Sequence, residues 1–163
     1  MNIKSIINKK LIVRAVSFVL ILLWCALIFF MSSEIADDSA KRSGGIINKM
    51  ASIAASLFGT NEPDPSLIDV YEFYLRKLAH MFLYFVLALL SVCFLSTYPT
   101  ERVKILLYSL AFCLFYAITD EIHQLFVEGR SGSFKDVMID MCGTLTALLL
   151  VWAFFHIRGR IRK

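Results

Sequence analysis

The sequence predicts an all-α protein, a four-transmembrane-helix bundle with an extra amphipathic interfacial helix between the first and second spans. Three observations lead there. Hydrophobic residues make up 58% of the 163 positions and charged residues 18%, a balance that a water-soluble domain of this length does not carry. The apolar residues gather in four stretches, about 15–31, 78–96, 103–124 and 137–156, and a membrane span needs about 20 residues at a rise of about 1.5 Å each. The segments joining these stretches alternate between basic and acidic, as the loops of a four-span protein do.

The first stretch carries no charge between Arg14 and Glu34 and follows a basic arm of Lys4, Lys9, Lys10 and Arg14. It reads as a retained anchor and not a cleaved signal, because the apolar run is long and ends in the bulky Phe29-Phe30-Met31 without a small-x-small site. The loop that follows, 32–76, is expected to be extracytoplasmic. Within it Ile46, Met50, Ile53 and Leu57 recur at spacings of four, three and four, with Ile47, Ala54 and Phe58 beside them and Lys49, Ser52 and Ser56 opposite. That is one apolar helical face, too short to span, and it fits a helix lying on the outer surface or over the bundle. Asn61-Glu62-Pro63-Asp64-Pro65 stops it, and Ser66 with Asp69 three residues on predicts a capped helix running through Tyr71, Phe73 and Tyr74 into the second span. Those aromatic rings suit a membrane interface.

Pro99 in a short connection predicts that the second and third spans form an antiparallel hairpin. The third span is short at its apolar minimum, Val103 to Ile118, and reaches spanning length by continuing through Asp120, Glu121 and His123. Gly129-Arg130-Ser131-Gly132-Ser133 demands a tight turn into the fourth span, where Gly143 suits a point of close helix packing. The chain holds one membrane domain over residues 1–163, without an internal repeat.

The basic arm, the 99–104 connection (Arg102 and Lys104 against Glu101) and the tail of Arg158, Arg160, Arg162 and Lys163 hold ten of the 17 basic residues and one of the 13 acids. Basic loops stay in the cytoplasm, so both termini are expected there. The net charge of +4 is therefore a topology signal; the basic residues hug membrane ends and form no nucleic-acid recognition motif. Cys25, Cys93, Cys113 and Cys142 all fall in spans and make no CxxC pair. They read as small buried apolar residues, with no disulfide framework or zinc site.

Ionisable residues near membrane depth usually have a task. Lys77, His80 and Tyr84 share a face of the second span; Tyr116, Asp120 and either His123 or Gln124 share one on the third; Asp136, Asp140 and Gly143 share one on the fourth. The expected topology brings the start of the second, the end of the third and the start of the fourth to one side of the membrane, with Arg130 between them. The predicted cluster of Lys77, His80, Asp120, Glu121, Arg130, Asp136 and Asp140 sums to four negative against two positive charges before His80. Such a cluster is expected to bind a cation or hold protons. It also suits a purely structural network joining helices. Arg76 reads as a snorkelling boundary residue and His156 as an interfacial one.

The ordered series Trp24, Phe30-Met31-Ser32-Ser33, Lys77-Leu78-Ala79-His80 with Tyr84, Asp120-Glu121-Ile122-His123-Gln124, Gly129-Arg130 and Asp136 to Gly143 resembles the VanZ-like family of small bacterial integral membrane proteins. The likeness covers most of the chain outside the first loop. The chain departs from the family pattern at Glu128, where Pro often precedes Gly-Arg, and it lacks the Asn often found near Met141 or Cys142. The resemblance implies a multi-pass protein of the bacterial cytoplasmic membrane. It also implies a link to resistance against the glycopeptide teicoplanin, which acts on peptidoglycan precursors at the outer surface.

Two functions follow as expectations. In the first, a ligand site of Lys77, His80, Tyr84, Asp120, Glu121, Gln124, Arg130, Asp136 and Asp140 binds a lipid-linked or anionic headgroup at the outer leaflet, with lysine and arginine on phosphate. The partners are then membrane lipids or a lipid-linked cell-wall precursor, or a glycopeptide antibiotic, without nucleic acid. The alternative is a membrane enzyme acting on a lipid or cell-wall precursor, with His80 and the Asp120, Glu121 and Asp140 carboxylates as acid–base groups or metal ligands. No H-E-x-x-H, G-x-S-x-G or phosphate loop supports it, and no cofactor or metal site is assigned.

Overall fold

The computed structural model of the protein describes residues 3–34, 44–47, 49, 52, 53, 56, 65–130 and 132–161. Among these residues every regular element is a helix, in the order α1 (Ile3–Ser32), α2 (44–47), α3 (Pro65–Leu95), α4 (Arg102–Gln124) and α5 (Phe134–Ile161). Four of them hold stretches long and apolar enough to cross a membrane: Asn8–Ser32, Val70–Leu95, Arg102–Gln124 and Phe134–Arg158. The chain is a multi-pass membrane protein.

A short extra helix, α2, stands where the interfacial helix is expected, and positions 49, 52, 53 and 56 are also helical. The Ser52 and Ser56 hydroxyls donate to the Lys49 and Ile53 carbonyls three residues back; Lys49, Ser52 and Ser56 are exposed, and so are Ile46 and Ile53 of the expected apolar face. Met50, Ala54, Leu57 and Phe58 of its expected apolar face, and the 61–64 stop, lie outside the described residues. Helix α3 begins at Pro65, one residue before the expected Ser66 cap. Proline is tolerated in the first helical turn, where its missing N–H has no intrahelical partner to lose. The Ser66 and Asp69 side chains lie outside the described residues.

Helix α3 packs most extensively on α5 and also touches α1 and α4, so it runs through the middle of the bundle. Its Tyr84, Leu87 and Ala88 are fully buried against Ile28 of α1, Cys113 and Ala117 of α4 and Ala147 of α5. Gly143, one turn before Ala147, lets α5 approach α3 so closely that a Cβ there would overlap the Met81 carbonyl oxygen. Small residues at four-residue spacing are a standard means of membrane helix contact. The Trp24 indole N–H donates to the Leu83 carbonyl at 2.8 Å, and the Tyr116 hydroxyl to the Cys25 carbonyl at 2.6 Å, tying α1 to α3 and α4.

The outer faces carry large apolar side chains, among them Leu23, Phe30, Phe82, Phe115 and Leu149. In a spanning bundle these are the lipid-facing positions. The cysteines divide accordingly. Cys113 is buried and Cys25 half-buried, but Cys93 and Cys142 face outward, which corrects the expectation that all four are buried inside the protein. An apolar thiol is equally at home against lipid, so sequence pattern alone does not separate the two settings.

At one end of the bundle the Arg14 guanidinium donates to the Thr97 hydroxyl at 3.1 Å and carbonyl at 3.2 Å and lies over the Tyr98 ring at 3.9 Å. Arg102 and Lys104 mark the same end. The end of α1, the first turns of the α3 span, the end of α4 and the start of α5 meet at the other.

Candidate functional site

The sequence brings residues to this second end by helix register. Lys77, His80 and Tyr84 descend one face of α3, Asp120, Glu121 and Gln124 occupy the buried face of α4's last turns, and Asp136 and Asp140 descend from the first turn of α5. The predicted cluster assembles in this way.

Its outer layer is an ion pair between the Lys77 ammonium and the Asp136 carboxylate, both side chains largely withdrawn from the surface. Asp136 also lies in the first turn of α5, where a carboxylate complements the helix dipole. Ser133 starts that helix: its hydroxyl accepts the Lys135 N–H at 3.2 Å, and its own N–H donates to Glu121 Oε2 at 2.7 Å. Gln124 Nε2 donates to the other Glu121 oxygen at 3.3 Å. Glu121 is thus occupied as a bracket between α4 and the start of α5.

The inner layer is different. His80 Nδ1 lies 3.7 Å from Asp140 Oδ1, too far for a hydrogen bond. Asp140 is 1% exposed, Tyr84 is fully buried, and both Asp140 oxygens and the Tyr84 hydroxyl lack a hydrogen-bond partner. Asp120 is asymmetric. Its Oδ2 accepts from the Ser32 hydroxyl at 2.9 Å and from Gln124 Nε2 at 3.5 Å, while its Oδ1 accepts nothing.

Arg130 projects from the α4–α5 connection, where Gly129 adopts φ 74°, a left-handed conformation natural to glycine. The Arg130 guanidinium donates through Nε to the Glu34 carbonyl at 3.0 Å and through Nη2 to the Met31 carbonyl at 3.4 Å. It therefore satisfies carbonyls at the end of α1, where a cation also complements the dipole. Burial first, and then the neighbouring Arg76, pull the Arg130 pKa below its usual value; an arginine stays charged in such a setting.

Lys77, His80, Glu121, Gln124, Arg130, Asp136 and Asp140 line a cavity of about 310 Å³, and Tyr84 and Asp120 lie behind that lining. Ile46, Phe73, Leu75, Leu83 and Ile139 supply an apolar wall, and Arg76, Lys77 and Arg130 with Glu34, Glu121, Asp136 and Asp140 a charged one. Ile46 comes from α2, so this short helix contributes to the cavity wall.

Sequence reasoning left His123 and Gln124 as alternatives. Gln124 joins the cluster, whereas His123 stacks on Phe29 at 4.2 Å between ring centres and meets the Ser33 hydroxyl at 3.0 Å. Ser32 was missed as a site residue. It is fully buried and reaches Asp120 from the end of α1; the available sign was a hydroxyl pair at the end of an otherwise apolar span. Arg76, read as a boundary residue, lines the cavity and makes no hydrogen bond or ion pair among the described residues.

The VanZ/LLP1 family model matches residues 17–156, which run from the middle of α1 into the last turns of α5 and include every residue of the cluster. Comparison with curated proteins and with solved structures gave no match.

Proposed function

Because the chain belongs to the VanZ/LLP1 family, we propose that it is a bacterial cell-envelope protein of the cytoplasmic membrane whose cavity receives the anionic headgroup of a lipid or lipid-linked precursor at the outer leaflet. Both termini are cytoplasmic in this reading. The basic arm, the Arg102–Lys104 turn and the basic tail then lie inside, and the polar end of the bundle lies outside.

The observation that carries the reading is the pairing of two guanidinium groups with an apolar wall. Arg76 and Arg130 both line the cavity, so an anion that enters it meets both guanidinium groups. Arg130 spends two of its five N–H donors on the Met31 and Glu34 carbonyls, leaving three for a ligand. Arg76 keeps all of its own for one among the described residues. Guanidinium binds phosphate by a two-point fork. The wall of Ile46, Phe73, Leu75, Leu83 and Ile139 is suited to the first carbons of the attached chain. Occupation or sequestration of such headgroups is how the protein would protect cells against a lipophilic glycopeptide such as teicoplanin.

Native mass spectrometry of protein released gently from membranes tests this. An anionic lipid should remain bound to the wild type and be lost from Arg76→Ala. Absence of any enriched anionic lipid, or its equal retention by Arg76→Ala and Arg130→Ala, overturns the reading. Teicoplanin susceptibility at matched abundance should follow lipid retention.

A further inference from the structure

We propose that the inner end of the cavity is a divalent metal site formed by His80 of α3, Asp120 of α4 and Asp140 of α5. One ligand atom from each lies within 4.8 Å of the others. Donors bound to one ion at about 2.0–2.2 Å lie at most about 4 Å apart, so small side-chain rotations bring the three atoms onto a common centre. The inference stands on these residues and does not depend on which headgroup the outer cavity takes.

The surrounding bonds argue for a cation and not for a self-contained hydrogen-bond network. Neither Lys77, which pairs with Asp136, nor Arg130, which turns to the Met31 and Glu34 carbonyls, donates to Asp120 or Asp140. Both Asp140 oxygens and Asp120 Oδ1 are buried acceptors that receive no donor, whereas buried polar atoms as a rule have one. Asp120 is also held in the manner of a metal ligand. Ser32 and Gln124 fix Oδ2 and leave Oδ1 bare, the arrangement by which an outer hydrogen bond orients a ligating carboxylate. Glu121 is not a ligand in this assignment, because the Ser133 N–H and Gln124 occupy its two oxygens.

The donor set suggests the kind of ion. One imidazole nitrogen with two carboxylates suits Zn²⁺ or Mn²⁺ better than Mg²⁺, which prefers oxygen ligands and retains its waters. Two carboxylates and a neutral imidazole balance a charge of +2. Three protein ligands leave coordination positions open, and His80 and Asp140 both line the cavity. Those positions therefore belong to water or to an oxygen of whatever enters.

The test uses full-length, tag-free protein in nanodiscs, stripped with a chelator and then titrated with Zn²⁺ or Mn²⁺. Bound metal is counted by elemental analysis and affinity read by calorimetry. The wild type should take up about one equivalent and unfold at a higher temperature when loaded. His80→Ala and Asp140→Asn should each weaken binding at least tenfold, while Glu128→Gln, an exposed carboxylate outside the cavity lining, should retain it. Should Asp140→Asn fail to fold, His80→Ala decides, since that side chain lines the cavity and is less buried than Asp140. Failure of the wild type to hold a stoichiometric ion, or equal binding by His80→Ala, overturns the proposal. Lipid retention measured on stripped protein is a separate readout, so loss of metal binding does not count against the headgroup reading.

Discussion

The Ser32 hydroxyl donates to Asp120 Oδ2 at 2.9 Å, joining the last residue of α1 to a carboxylate 88 positions later in the chain. Both side chains are buried. This bond makes the end of the first span a wall of the polar site, and with Arg130 on the Met31 and Glu34 carbonyls it closes α1 onto the bundle.

Ser32→Ala should therefore be costly although it removes a single oxygen. A hydrogen bond to a charged acceptor contributes about 1.5–3 kcal/mol, and its loss leaves the acceptor short of a donor. Thermal unfolding of purified protein in one fixed detergent should show a loss in that range. Ser33→Ala is the control. The Ser33 hydroxyl lies near the surface and meets the Phe29 carbonyl and His123, so its removal should cost less than half as much. Equal effects from the two substitutions would remove Ser32 from the architecture of the site.

The glycines give a sharper contrast. A Cβ on Gly143 would collide with the Met81 carbonyl, which is backbone and cannot rotate away, whereas a Cβ on Gly45 meets nothing within 4 Å. Gly143→Ala must push α5 from α3 and should cost about 2–3 kcal/mol, as overpacking does. Gly45→Ala sits in helical, open backbone and should change stability by less than about 0.5 kcal/mol. Unfolding midpoints of the two variants, measured side by side, check both. An intact midpoint for Gly143→Ala would mean that the α3–α5 contact is looser than described.

Much of this was legible in the sequence, for physical reasons that vary from residue to residue. Hydrocarbon leaves a signature too strong to hide, so the four spans and the α3–α4 turn at Pro99 could be read directly. Helix register placed Lys77, His80 and Tyr84, and Asp136 and Asp140, on common faces, because a three- or four-residue step fixes direction without tertiary information. Contacts made at helix ends were not legible. Ser32 reaches Asp120 through the crossing of α1 and α4, and Arg130 turns back to α1 carbonyls instead of into the cluster's centre. Neither relationship has a period. The positions of Cys93 and Cys142 escaped for the opposite reason: lipid and protein interior select the same apolar residues, so hydropathy cannot tell which side a cysteine faces.

Orientation in the membrane is the remaining premise, and it yields a clean compartment test. Glu128 lies exposed in the α4–α5 connection at the polar end, and Lys104 lies exposed in the first turn of α4 at the other end. A span of 23 residues separates these ends, about 34 Å at the helical rise, so the two positions stand on opposite sides of the hydrocarbon. The basic segments gather at the Lys104 end, and positive charge is retained in the cytoplasm. Glu128→Cys should therefore react with a membrane-impermeant maleimide in intact cells, and Lys104→Cys only after permeabilisation. The native cysteines add little background, since Cys25, Cys93, Cys113 and Cys142 all lie within the apolar helices, where a charged reagent does not go. Reversed labelling would place the cavity in the cytoplasm and remove the route by which an outer-leaflet headgroup reaches Arg76. Labelling of both positions from one side would mean that α4 does not cross the membrane at all.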